Sequence, residues 1–154
     1  MELLLLLGGN IGDPRATLGR AEALIADRVG RIRARSRDHW TEPWGFSDPR
    51  LFLNRALLVD TELAPETVLA LCSRIEEELG RVRTSTGYAA RTIDIDLLLC
   101  GDRSIDLPHL RIPHPRMHQR AFALAPAADI APNWTHPALG RTMLMLLNDV
   151  LHNS

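Results

Sequence analysis

The stretch that most constrains this chain is Arg91-Thr92-Ile93-Asp94-Ile95-Asp96-Leu97-Leu98-Leu99. Successive side chains of a strand point to opposite faces, so Ile93, Ile95 and Leu97 make one apolar face while Asp94 and Asp96 project together from the other. Carboxylates at i and i+2 of a strand stand roughly 6 to 7 Å apart at ~3.3 Å per residue, far enough to hold one or two hard cations between them. Taken alone, an Asp-x-Asp more often does no more than solvate the outer face of an edge strand. Here Arg91 lies just upstream, Arg81 and Arg83 head the preceding loop, and Leu97 to Leu99 run on as an apolar segment. The pair therefore stands at the mouth of a buried strand, and carboxylates beside guanidiniums at such a mouth point to a metal ion and phosphates.

The rest of the chain supplies a frame for that strand. Leu3 to Leu7, ended by Gly8-Gly9-Asn10, reads as a strand buried on both faces. Asp13-Pro14 is a helix start, with Asp13 as N-cap and Leu18, Ala21, Leu24 and Ile25 at helical spacing up to Val29-Gly30. Residues 31–40 alternate with period two and predict one half-exposed strand, whose face of Arg33, Arg35, Arg37 and His39 is better explained as a solvated edge than as a nucleic-acid patch. Phe52 to Thr61 is a further strand, with Phe52, Asn54, Ala56 and Leu58 sharing a face. Pro65 opens a helix striped by Val68, Leu71, Cys72, Ile75 and Leu79 and stopped by Gly80; Glu76 falls near its end, where carboxylates oppose the helix dipole.

Residues 81–90 are polar and unpatterned and read as a mobile lid. The loop 42–49 holds Trp44 and Phe46, aromatics that either close over a planar ligand or pack back on the domain. The element order, strand-helix-strand-strand-helix-strand, is the ferredoxin-like βαββαβ pattern of an α+β fold, an antiparallel sheet backed by two helices. Residues 109–154 extend it with Arg111, His114, Arg116, His118 and Arg120, Pro-punctuated turns and a final helix from about Thr142 to Leu151. A chain of 154 residues without an internal linker is expected to be one domain, 1–154.

Composition excludes several function classes. The 18 basic and 19 acidic residues nearly cancel, so no global field draws the chain to nucleic acid or an anionic membrane. Every basic residue is arginine; a Walker A lysine, a Schiff-base lysine and a lysine general base are absent. Such a bias suits bidentate phosphate contacts, and codon usage explains it equally well. Cys72 and Cys100 lack metal or disulfide spacing and are expected to be buried thiols, and no apolar run has the length of a membrane span or signal core. A cytoplasmic protein is expected.

Six segments, in order, resemble the 6-hydroxymethyl-7,8-dihydropterin pyrophosphokinases of folate biosynthesis: Gly8 to Asp13, Thr41-Glu42-Pro43-Trp44-Gly45-Phe46, Phe52-Leu53-Asn54, Gly80-Arg81-Val82-Arg83, Arg91 to Asp96, and Ile112-Pro113-His114 through Arg120 and Phe122. The resemblance implies transfer of diphosphate from ATP to the hydroxymethyl group of the dihydropterin, with release of AMP. It implies two Mg²⁺ ions on Asp94 and Asp96, and Arg81 and Arg91 as catalytic residues beside them. Glu76, Arg83, Tyr88, Ile95, Leu97, Arg111, His114 and Arg120 would meet the nucleotide. Phe52 and Phe122 would sandwich the pterin ring, with Asn54 and Thr41, Glu42, Pro43 and Trp44 around its edge. A monomer with no nucleic-acid or membrane partner is expected. Two other readings remain at this stage: another Asp-x-Asp phosphotransferase or nuclease, since the carboxylates do not name the acceptor, and a non-catalytic RNA-binding sheet, which the acidic strand disfavours.

Overall fold

Leu3 to Leu7 are each at most 4% exposed, and they form the middle of β1 (Glu2–Gly9). The structure, a computed structural model, describes residues 1–42, 50–80 and 92–153. The loop aromatics Trp44 and Phe46, with Pro43, and the expected lid 81–90 with Arg81, Arg83, Tyr88 and the adjoining Arg91 lie outside those residues.

After β1 come α1 (Pro14–Arg28), β2 (Arg31–Arg35), β3 (His39–Thr41), β4 (Phe52–Asp60), α2 (Pro65–Glu78) and β5 (Asp94–Cys100). The sheet order is β2-β4-β1-β5, with β3 also on β4, and every pairing is antiparallel. This is the expected ferredoxin-like core. Asp13 caps α1 by accepting the Ala16 N–H, with Pro14 in the first turn.

β1 alternates between two cores. Leu3, Leu5 and Leu7 pack with Leu18, Ala21 and Ile25 of α1 and Val68, Cys72 and Ile75 of α2. Leu4 and Leu6 pack with Leu98, Ala123, Leu124, Ala127, Met143 and Leu146, the last five of these residues apart from Leu98 coming from α3 (Ala121–Ile130) and α4 (Met143–His152). The C-terminal segment is thus the cover of the sheet's second face rather than an appendix. Between β5 and α3 lie a hairpin of β6 (Ile105–Leu107) and β7 (Leu110–Ile112) and a 3-10 turn, Met117–Gln119.

Two expectations need correction. Residues 31–40 are two strands, because Ser36 breaks the ladder: its hydroxyl accepts the Ala56 N–H at 2.9 Å and donates to the Arg37 carbonyl at 2.7 Å, bending the chain at 36–38. Residues 121–130, expected as Pro-punctuated turns, form α3 with Pro126 inside it. Proline there removes one helical N–H, and burial of Ala123, Leu124 and Ala127 against the sheet outweighs that loss.

The basic face of 33–39 is neither a bare edge nor a nucleic-acid patch, for each of its cations has an acidic partner. Arg33 meets Glu2 and Asp60, Arg35 meets Glu22 at 2.9 Å, and Arg37 and His39 both meet Asp129 of α3. On the α1 side the buried Arg55 joins Glu22 at 3.2 Å and Asp38 at 2.7 Å. The bend between β2 and β3 is therefore held from both faces of the sheet.

Two predictions follow from this packing. A Cβ on Gly30 would lie 2.0 Å from the Asp60 carbonyl oxygen, so backbone must move; Gly30→Ala should cost at least 1 to 3 kcal/mol, about the scale of overpacking, and lower the thermal midpoint by several degrees. At Asp129 burial pushes the carboxyl up, but hydrogen bonds from Arg37 and His39 and the charge of His39 outweigh it and bring the pKa down to about 2. Its unperturbed value is 3.8, so the stabilisation, on the order of 2 kcal/mol, is present above that pH and lost as pH falls towards about 2. Asp129→Asn should remove this component of the acid-unfolding profile, read by chemical denaturation at a series of pH values between 2 and 5.

Candidate active site

The strand register assembles one row across the sheet: Asp94 of β5 opposite Gly8 of β1, Gly8 opposite Asn54 of β4, and Asn54 opposite His39 of β3. One step further in, Asp96 is opposite Leu6 and Leu6 opposite Ala56. Leu6 and Ala56 face the α3–α4 core, so by strand alternation Asp94, Asp96, Asn54 and Phe52 project from that same face. Two strand spacings, across β1, separate Asp94 from Asn54, roughly 10 Å.

Gly8 lies between them, and its missing side chain is used. A Cβ there would stand 2.6 Å from Cε1 of Phe52 and 3.5 Å from Oδ1 of Asn54. The Phe52 ring therefore leans over β1, and the Asn54 carbonyl oxygen turns towards the same gap. Asn54 is held in that pose: its Nδ2 donates to Thr41 Oγ1 at 2.9 Å and, at 3.4 Å, to the His39 and Phe52 carbonyls. With the amide nitrogen spent on β3 and β4, Oδ1 is the end turned to the gap, as an acceptor. Glu42 follows β3 and is exposed.

The second wall comes from the C-terminal segment. The His114 backbone N–H donates to the Leu98 carbonyl at 3.0 Å, which ties this segment to β5 two residues beyond Asp96. Burial, then the charges of Arg120 and Arg116, pull the His114 pKa below the ordinary imidazole range, against an opposing pull from Asp94. His114 Nδ1 accepts the Arg116 N–H at 3.3 Å, so the neutral ring carries its proton on Nε2. Arg120 sits at the N-terminus of α3 with its guanidinium 5.4 Å from the centre of the Phe122 ring. Asp94, His114, Arg120 and Phe122 thus form one neighbourhood on the α3 side of the sheet.

Other expected site residues lie differently. Ile95 and Leu97 point into the α1–α2 core, which leaves only their backbone for a ligand, and the Ile95 N–H is already taken by Glu76. That carboxylate is 4% exposed and accepts from Ile95 N at 2.7 Å. Its position near the helix end thereby acquires a structural reason: it satisfies the outer edge of β5 between the two aspartates. Arg111 is exposed on the β6–β7 hairpin and pairs with Asp106 at 3.3 Å. The sequence reading missed Gly8 and His39 as members of the central row, because nothing local in the sequence announces which residues become cross-strand neighbours.

A cation on Asp94 and Asp96 is consistent with this donor set. Among the described residues no cluster of three or more His, Cys, Asp or Glu side chains could hold a metal ion. Two hard carboxylates alone leave most of the coordination shell to phosphate oxygens and water, the habit of Mg²⁺ rather than of Zn²⁺ or Ca²⁺ cages. None of the helices in the described residues is long and apolar enough to cross a membrane.

The family model for 7,8-dihydro-6-hydroxymethylpterin-pyrophosphokinase (HPPK) matches residues 4–132. The 2-amino-4-hydroxy-6-hydroxymethyldihydropteridine pyrophosphokinase of Porphyromonas gingivalis is 44% identical over 134 residues, 85% of this chain and 90% of the relative. That of Methylorubrum extorquens is 45% identical over 128 residues, 82% of this chain and 80% of the relative. In fold, the wild-type HPPK-DHPS of Plasmodium falciparum superposes with a TM-score of 0.80 at 17% identity, covering 99% of this chain and 45% of that one. This chain thus spans less than half the length of that solved protein. With the match running from within β1 to just past α3, the chain belongs to the 7,8-dihydro-6-hydroxymethylpterin-pyrophosphokinase family.

Proposed function

We propose that this chain acts as a single pyrophosphokinase unit over residues 1–154, transferring diphosphate from ATP to the hydroxyl of 6-hydroxymethyl-7,8-dihydropterin and releasing AMP. The observation that carries the reading is the row Asp94–Gly8–Asn54. It holds the Asp94 carboxylate at one end, a hydrogen-bond acceptor at the other, and an aromatic ring leaning over a gap cleared by glycine.

The pterin occupies the gap between Phe52 and Phe122, its flat faces against the two rings and its amino edge on Asn54 Oδ1. Its hydroxymethyl group then points along the row towards Asp94. ATP lies beyond, with its phosphates against Arg120 and the His114 Nε2–H; a neutral histidine donates there without the cost of a buried charge. Asp94 and Asp96 would hold Mg²⁺, two ions in this reading, which when bound would neutralise phosphate charge and lower the pKa of the attacking hydroxyl. The other cations of the site, Arg81, Arg83 and Arg91, belong to the same reading by family resemblance, as do Tyr88, Pro43 and Trp44. Glu76 acts from behind by holding β5, and Arg111 stands outside on its hairpin. The protein works as a monomer in the cytosol, which its two buried free thiols suit.

A non-catalytic RNA-binding sheet is disfavoured because Arg35, Arg37 and His39 are paired and carboxylates hold the strand that a phosphodiester backbone would approach, and a nuclease because the relatives at 44 and 45% identity are pyrophosphokinases. AMP formation from ATP with and without the dihydropterin tests the reading directly. A pterin-independent release of ADP or phosphate would overturn it.

Asp94→Asn and Asp96→Asn should each remove nearly all turnover and the Mg²⁺ dependence of ATP binding, with an unchanged circular-dichroism spectrum. Substantial residual Mg²⁺-dependent activity would refute the metal assignment. Phe122→Ala and Phe52→Ala should each weaken pterin binding by about 1 to 3 kcal/mol, the loss of one ring face, and affect an ATP analogue much less. Calorimetric titration of both ligands checks this, and equal losses would indicate a collapsed site.

A further inference from the structure

α3 carries Phe122 in its first turn and Asp129 in its last, seven residues on. Seven residues are nearly two turns, so both side chains lie on one side of the helix about 10 Å apart. That side faces the sheet, where α3 packs on β4, β3 and β1. Asp129 meets the bend before β3 with both oxygens. Oδ1 accepts from Arg37 Nη2 at 2.9 Å, and Oδ2 accepts from Arg37 Nε at 3.3 Å, the Arg37 backbone N–H at 3.2 Å and His39 Nε2 at 2.7 Å. His39 is in turn the outer member of the central row, and its carbonyl receives a hydrogen bond from Asn54 Nδ2.

The apolar contacts of α3 define its position poorly. Its buried side chains include Ala123 and Ala127, small residues that would let a ten-residue helix slide or tilt over the strand surface. Apolar burial is also non-directional. Hydrogen bonds to a carboxylate with a bidentate guanidinium are directional and strong, and the bend they grip is anchored on the opposite face of the sheet by Arg55 on Asp38. Asp129 thus gives the helix an oriented attachment at the end away from Phe122.

We propose that Asp129 is a positioning residue for the pterin cleft: by clamping α3 to the bend at Arg37 and His39, it sets the spacing between Phe122 on the helix and Phe52, Asn54 and Thr41 on the sheet. This inference rests on the pterin reading of the cleft given above. Asp129 touches neither substrate. Its removal lets the helix drift, which opens the ring sandwich and loosens β3 behind Asn54, while the metal-binding carboxylates on β5, at the far side of the sheet, keep their place.

The test is calorimetric titration of the dihydropterin into protein preloaded with Mg²⁺ and a non-hydrolysable ATP analogue, beside titration of the analogue alone. Asp129→Ala should raise the pterin dissociation constant about tenfold or more and that of the ATP analogue by a smaller factor, since Arg120 moves with α3 while Asp94 and Asp96 stay, with Asp129→Glu recovering much of the loss. Leu146→Ala supplies the control for general softening, since it opens a cavity in the same α3–α4 layer without touching the clamp. It should lower the melting temperature and leave pterin affinity within about twofold of wild type. Should Asp129→Ala fail to fold, Arg37→Ala and His39→Gln, each cutting one arm of the clamp, are read in the same way. Unchanged pterin affinity in the clamp variants, or an equal loss in Leu146→Ala, overturns the positioning role while leaving the pterin reading intact. Wild-type protein that binds no pterin overturns the reading itself.

Discussion

Everything else in this structure depends on β1 being buried from both sides. Five consecutive leucines leave neither face of that strand able to meet water, and burying each contributes something like 1.5 to 3 kcal/mol, together comparable with the net stability of a domain. One face is covered by α1 and α2, as the βαββαβ order requires. The other has no cover within that order. The C-terminal third supplies it through α3 and α4, with Leu124, Met143 and Leu146 packed on Leu4 and Leu6.

The candidate site lies where that double burial ends. Leu6 is still core, and Gly8, two residues on along the same face, has no side chain at all. The apolar layer stops there and a gap opens, bordered by Asp94 on one neighbouring strand and Asn54 on the other. The helix that covers the leucines also brings Arg120 and Phe122 to the edge of the gap. Core and site are consecutive stretches of the same strands, so the sheet that the core makes rigid also fixes the separation of Asp94, Gly8 and Asn54.

Arginine supplies the structural ion pairs in a chain that has no lysine. Arg33, Arg35, Arg37 and Arg55 are engaged with Glu2, Asp60, Glu22, Asp38 and Asp129, and they staple strands to helices. A planar fork that reaches two acceptors at once suits this task as well as it suits phosphate. Near balance of charge over the chain thus conceals local pairing.

Local chemistry was legible in the sequence wherever one residue's neighbours along the chain decide its fate. Asp13-Pro14 starts a helix because a capping carboxylate and a proline need only the next turn, the leucine run makes a two-sided strand because alternation is intrinsic to extended backbone, and Asp94 and Asp96 share a face for the same reason. What could not be read were contacts between residues distant in sequence. Proline at 126 argues locally against a helix, and only the sheet beneath it makes α3 form. Glu76 looks misplaced at a helix end until the Ile95 N–H of an edge strand arrives to meet it. The pairing of Arg37 and His39 with Asp129, some ninety residues away, and the meeting of Asp94, Gly8 and Asn54 in one row exist only once strand register is set. Alternation and capping are encoded within a few residues, whereas register and layer contact come from burying two faces of one strand at once, a condition the whole chain must satisfy together.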